Sequence, residues 1–96
     1  MDLKIWYIRS MKEEIKEDID FERAYYSSYR IVTNKVSFED LLDEDHDKGN
    51  HTLLVHNPYG EVTQNVINEL IDYFVETEEY ELCAELKTEL DKKNNL

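Results

Sequence analysis

The chain has 96 residues, 41% hydrophobic and 35% charged, and its 23 acidic against 11 basic side chains give a net charge of -12. That length holds one domain with one modest core, and the apolar content is too high for a disordered tail. So acidic a surface repels nucleic acid and membranes and attracts basic protein surfaces, which argues against a direct DNA or RNA binder.

Leu3 to Arg9 (LKIWYIR) is rich in β-branched and aromatic residues and predicts a strand. Met1 to Trp6 carries charge among its first residues and is not expected to be a secretory signal. Ser10 and Glu13 have the spacing of a capping box. Met11, Ile15 and Ile19 follow at near-helical spacing, so a helix is expected from 11 to the mid-twenties. A single long helix that also takes in Ile8 is the alternative. Ser27 to Thr33 (SSYRIVT) predicts a second strand, and Ser37 is placed to cap a turn or two of helix through Leu42. Asp43 to Asn50 (DEDHDKGN) has no apolar residue and is expected to be an exposed loop. Thr52 to His56 (TLLVH) predicts a short buried strand, closed by a turn over Asn57-Pro58-Tyr59-Gly60.

The last third has the clearest pattern. Thr63 is placed as an N-cap, and Val62, Val66, Ile67, Leu70, Ile71 and Phe74 form one helical stripe. Thr77 offers a fresh cap, and Leu82, Cys83, Leu86 and Leu90 form a second stripe. The expected architecture is one α+β domain over 1–96: a small β-sheet, an N-terminal helix and a C-terminal antiparallel helical hairpin over 62–93.

The acidic loop invites a calcium reading, but neither the register from Asp43 nor that from Asp45 places Gly and Glu where an EF-hand needs them. His46, His51 and His56 recur every five residues, which matches no metal spacing. Ser, His and Asp are all present without a nucleophile elbow, and two glycines are too few for a phosphate-cradling loop. No metal, cofactor or catalytic residue is therefore assigned; a small metal-dependent enzyme survives only on the Asp/His loop. The lone Cys83 rules out an internal disulfide and fits a reducing compartment, so the expected location is cytoplasmic. The tyrosines Tyr25, Tyr26 and Tyr29, with Trp6 and Tyr7, are read as core with hydroxyls at the rim.

The charge is uneven. Residues 1–36 balance seven acids with seven bases; residues 37–61 set seven acids against Lys48 alone, and 62–96 set nine against three lysines. Glu81, Glu85 and Glu89 stack along one helix face at a spacing that costs a few tenths of a kcal/mol per like-charge pair. Only Glu89–Lys93 is expected to relieve them. The candidate partner-binding set is Asp40, Asp43, Glu44, Asp45, Asp47, Glu78, Glu81, Glu85 and Glu89.

Tyr80-Glu81-Leu82-Cys83-Ala84-Glu85-Leu86-Lys87 resembles the core of the UVR motif of excision-repair subunits and Clp-associated adaptors. Tyr80, Glu81, Ala84 and Leu86 match its pattern; Cys83 replaces an Ala, Lys87 an Arg, and Thr88 stands where the motif has Asp. The resemblance implies a hairpin used for protein–protein docking. In size, charge and lack of motifs the whole chain is similar to small acidic bacteriophage proteins, which implies inhibition of a host nuclease by occupying its DNA-binding groove, in the host cytoplasm. The expected function is thus a non-enzymatic inhibitor that places an acidic surface in a basic, nucleic-acid-binding site of a protein. The alternative is a docking or dimerisation module, including a homodimer, that uses the hairpin without mimicry.

Overall fold

The computed structural model describes residues 6–8 and 21–94. These form, in chain order, strand β1 (Trp6–Ile8), helices α1 (Phe21–Val32) and α2 (Phe38–Asp47), strand β2 (Thr52–Leu54), and helices α3 (Gln64–Glu76) and α4 (Tyr80–Asn94). The architecture is mostly helical. Its sheet is one antiparallel ladder of three residues a side, with Trp6 opposite Leu54, Tyr7 opposite Leu53 and Ile8 opposite Thr52. The expected helix from 11, with its Ser10–Glu13 box and the Met11, Ile15 and Ile19 stripe, lies outside the described residues up to 20, as do Leu3–Ile5 and Arg9 of the first strand.

Two expected elements are replaced by helices. Ser27 to Thr33 is not a strand: all but Thr33 belong to α1, whose buried face is Ala24, Ser27, Ser28, Tyr29 and Val32. The 24, 28, 32 spacing is helical, but its middle position is a serine, so an apolar count misses it. Burial of that face against β2, α3 and α4 overrides the β-propensity of Tyr, Ile, Val and Thr. Asp43 to Asp47 is not a loop either, because α2 runs through it. Ser37 caps that helix as expected, its Oγ accepting from the Asp40 N–H at 3.1 Å. Leu41 and Asp45, one turn apart, make the buried face, and an aspartate there hides the helical period.

The C-terminal pair follows its stripes. Thr63 Oγ1 accepts from the Val66 N–H at 3.2 Å at the start of α3. Ile67, Leu70 and Phe74 of α3 and Cys83 and Leu86 of α4 are buried in one core with Ala24, Tyr29, Val32, Leu53 and Val55. Gln64 Nε2 donates to Asn94 Oδ1 at 2.6 Å and closes the open end of this antiparallel pair. Thr77 is not the cap of α4 but the C-cap of α3; the first free amides of α4 turn back to the Glu79 carbonyl.

Three helices end in the same way. Lys35 N–H reaches Arg30 O, Asn50 N–H reaches Asp45 O and Glu79 N–H reaches Phe74 O, at 2.8 Å each, and the amide one residue earlier closes a smaller ring at 3.0 Å in every case. This is the Schellman closure, which needs a left-handed residue at C′. Asn34 (φ 62°), Gly49 (φ 74°) and Glu78 (φ 61°) occupy that place. Asn and Gly are the usual choices; Glu is not.

Leu86 is fully buried at the junction of α4 with the core, so Leu86→Ala should cost about 2–5 kcal/mol in urea unfolding. A loss below about 1 kcal/mol would contradict this packing. Cys83, buried and with its thiol pushed up by that burial, should label slowly in the folded state.

Candidate protein-binding surface

The nine candidate acids fall into two sets. Glu44, Asp45, Glu85 and Glu89 have partners within the fold, whereas Asp40, Asp43, Asp47, Glu78 and Glu81 are exposed and form no ion pair with a basic residue among the described residues.

Asp45 is the clearest structural member. It is 6% exposed; its Oδ2 accepts from Thr52 Oγ1 at 2.7 Å and its Oδ1 lies 3.8 Å from Arg23 Nη1. The same Arg23 nitrogen donates to the His51 carbonyl at 2.8 Å. Glu44 takes both guanidinium nitrogens of Arg30, at 2.9 and 3.2 Å. That fork holds the Glu44 carboxyl below its ordinary range and raises Arg30 further. Glu85 Oε1 accepts from the Tyr29 hydroxyl at 2.6 Å and from Lys35 Nζ at 2.9 Å. These two donors, Tyr29 first, lower the Glu85 carboxyl, while burial and then Glu85 push the Tyr29 hydroxyl well up. Glu89 pairs with Lys92 at 3.3 Å, so the expected relief by Lys93 is corrected by one residue. The Glu81, Glu85, Glu89 stripe is therefore interrupted at its centre, where Glu85 is tied down to α1.

The open acids lie in two zones. Asp40, Asp43 and Asp47 line the exposed side of α2, which packs on β2; Glu78 and Glu81 flank the α3–α4 turn together with exposed Glu76 and Glu79. Arg30 of α1 and Lys35, three residues past its end, neutralise Glu44 and Glu85.

The tyrosines divide likewise. Tyr29 is buried, edge-on to Phe74 at 5.9 Å; Tyr25 stacks on Tyr73 at 3.9 Å; Tyr26 is 48% exposed. The side chains of Trp6 and Tyr7 lie outside the described residues.

One buried pair has the dimensions of a nucleophile and its base. Ser28 Oγ is 2.7 Å from His56 Nδ1. The same oxygen accepts from the Val55 N–H at 2.9 Å, so one hydroxyl joins the His56 ring and the Val55 amide. Ser28 is 0% and His56 4% exposed, which seals the hydroxyl from any substrate. The pair is a structural bond between α1 and the end of β2. Burial alone lowers the His56 pKa. The sequence offered one signal of this pair, a histidine closing an otherwise apolar run. Among the described residues no three of His, Cys, Asp and Glu gather as a metal site, and on α2 Asp45 turns in while Asp43 and Asp47 turn out. No described helix is long and apolar enough to cross a membrane.

Comparison of the chain with protein-family models, with curated proteins and with solved structures yields no match.

Two outcomes follow from these bonds. Asp45→Ala strips Thr52 and Arg23 of a partner and should cost about 2–4 kcal/mol, against about 0.5 kcal/mol or less for Asp43→Ala or Asp47→Ala. Equal effects in urea melts would contradict the buried role of Asp45. For His56 the folded pKa lies below the unfolded value of about 6.5, so the unfolded state binds the extra proton. Its contribution is intact above that pH and is lost as pH falls below it towards the depressed folded value. His56→Gln should remove that part of the decline, and identical pH–stability curves for the two proteins would exclude it.

Proposed function

We propose that this chain acts by binding, without chemistry of its own, to a basic surface of another protein, and that the surface it occupies is one that otherwise holds nucleic acid, such as the groove of a host-defence nuclease. One observation carries this reading. Glu78 sits in the left-handed region at the exposed tip of the α3–α4 turn, where glycine would relieve roughly 1–2 kcal/mol of backbone strain. Asn34 and Gly49 solve the same problem at the other two helix ends with the usual residues. Among the described residues the Glu78 side chain makes no hydrogen bond or ion pair. Glu76, Glu79 and Glu81 surround it in sequence, so a strained position carries one more negative charge in an already acidic turn.

The geometry also narrows the mimicry. Carboxylates one helical turn apart rise about 5.4 Å along the axis, whereas B-DNA carries a charge about every 1.7 Å. With Glu85 and Glu89 internally paired, α4 alone does not approach that density. The α3–α4 turn and α2 act instead as two acidic contacts either side of a neutralised strip. This fits electrostatic steering to a basic site better than reproduction of a duplex.

Val75 and Tyr80, 45% and 61% exposed beside the same turn, favour a second reading: apolar docking through the hairpin without competition with nucleic acid. Ionic strength separates the two, since steered binding falls steeply with salt and apolar docking does not.

The test is competition. A partner captured from the producing cell should bind this chain or duplex DNA but not both, and ternary complexes would refute mimicry. Glu78→Gly should stabilise the fold by about 1 kcal/mol yet slow association at low salt. A more stable variant with an unchanged on-rate would remove Glu78 from the binding surface.

A further inference from the structure

A cavity of about 270 Å³ opens between the start of α1 and the α3–α4 turn, lined by Glu22, Arg23, Tyr26, Phe74 and Glu79. Sites for whole small molecules run from roughly 300 to 1,000 Å³, so this one has room for a single long side chain. Phe74 is 1% exposed and gives the cavity an apolar floor, while the half-exposed Tyr26 supplies an aromatic wall. Glu22, one helical turn before Tyr26, shares its face of α1. Glu79 comes from the opposite side, held by the Thr77 hydroxyl, which donates to its Oε2 at 3.0 Å. Arg23 does not cancel the two carboxylates: its guanidinium donates to the His51 carbonyl and lies beside Asp45, so its charge already faces an acid of the fold.

We infer that this cavity receives an arginine side chain from the basic protein partner. The inference rests on the acidic-docking reading above and adds the chemistry of one contact. An anionic ligand would meet Glu22 and Glu79. An aliphatic one would strip water from both carboxylates and return no hydrogen bond. A lysine satisfies the charge, but its compact ammonium neither stacks nor forks. A guanidinium offers both: a plane to stack on the half-exposed Tyr26 ring and a fork of N–H groups for the carboxylates of Glu22 and Glu79.

The experiment titrates the full chain at low salt with an arginine–glycine repeat peptide and a lysine–glycine peptide of equal length and charge. Binding is followed by calorimetry and by the backbone amide resonances of α1 and the α3–α4 turn. The arginine peptide should bind roughly tenfold more tightly. Tyr26→Ala should abolish that preference and Tyr26→Phe should retain it. Glu79→Gln should weaken the arginine peptide more than the lysine peptide. Thermal melts check that each variant is folded, and the exposure of Tyr26 leaves the core intact in either substitution. Equal affinity for the two peptides, with steep salt dependence, would overturn the arginine cavity and leave acidic docking standing. A preference that survives Tyr26→Ala would also overturn it. Failure of both peptides to bind at low salt would overturn the cavity and the acidic docking together.

Discussion

The structure depends on the burial of one extended segment. His51 to His56 is buried at every position, yet its only strand partner among the described residues is the three-residue β1. An extended backbone in a low-dielectric interior has to satisfy each N–H and C=O, and a single short ladder does not reach both ends. Side chains complete the task. Arg23 of α1 takes the His51 carbonyl just before the ladder, and Ser28 of α1 takes the Val55 amide just after it. Asp45 of α2 takes the Thr52 hydroxyl on the other side. Arg23 lies near the start of the segment and Ser28 near its end, so α1 runs alongside β2 in the same direction. Among the described residues no buried side-chain nitrogen or oxygen is left without a partner.

That requirement explains the composition of α1. A helix that packed on β2 with large apolar residues alone would leave those backbone groups unpaired, at about 1–3 kcal/mol each. Two small serines let the backbones approach, and one of them gains a second partner in His56. The alternation of β2 sends Leu53 and Val55 into the core with α3 and α4, while Thr52 and Leu54 fall on the face where α2 buries Asp45 and Leu41. Two helices and a hairpin are thus organised around a few residues of strand.

The same facts decide what was legible in the sequence. The stripes of α3 and α4 are built from Val, Ile, Leu and Phe, and apolar periodicity finds them. The Ser37 and Thr63 caps are local and readable too. The faces of α1 and α2 are completed by Ser28 and Asp45, which count as polar until their partners 27 and 7 residues away are known. Hence a strand and a loop were expected where helices stand. The acidic site has the same limit. Sequence gives the number of carboxylates, but Glu85 meets Tyr29 across 56 residues and Glu44 meets Arg30 across 14, and neither pairing has a local signature. The cavity beside Tyr26 was invisible for that reason: its walls come from α1, α3 and the α3–α4 turn.

Pairing also gives the charge a division of labour. Acids that approach α1 are used to orient it: Glu44 on Arg30, Glu85 on Tyr29 and Lys35, Asp45 on Arg23. Partly exposed pairs such as Glu44–Arg30 are screened by solvent and add little stability, so their main effect is on where α1 sits. Among the described residues, Asp40, Asp43, Asp47, Glu78 and Glu81 carry the repulsion of a chain with net charge -12 without an ion pair to offset it. Glu78 adds backbone strain to that repulsion, in a turn whose geometry glycine would serve at lower cost. A domain of this size has few kcal/mol to spare, so an exposed charge on a strained residue is a cost that the fold itself carries. On the function proposed above, a basic partner would offset that cost.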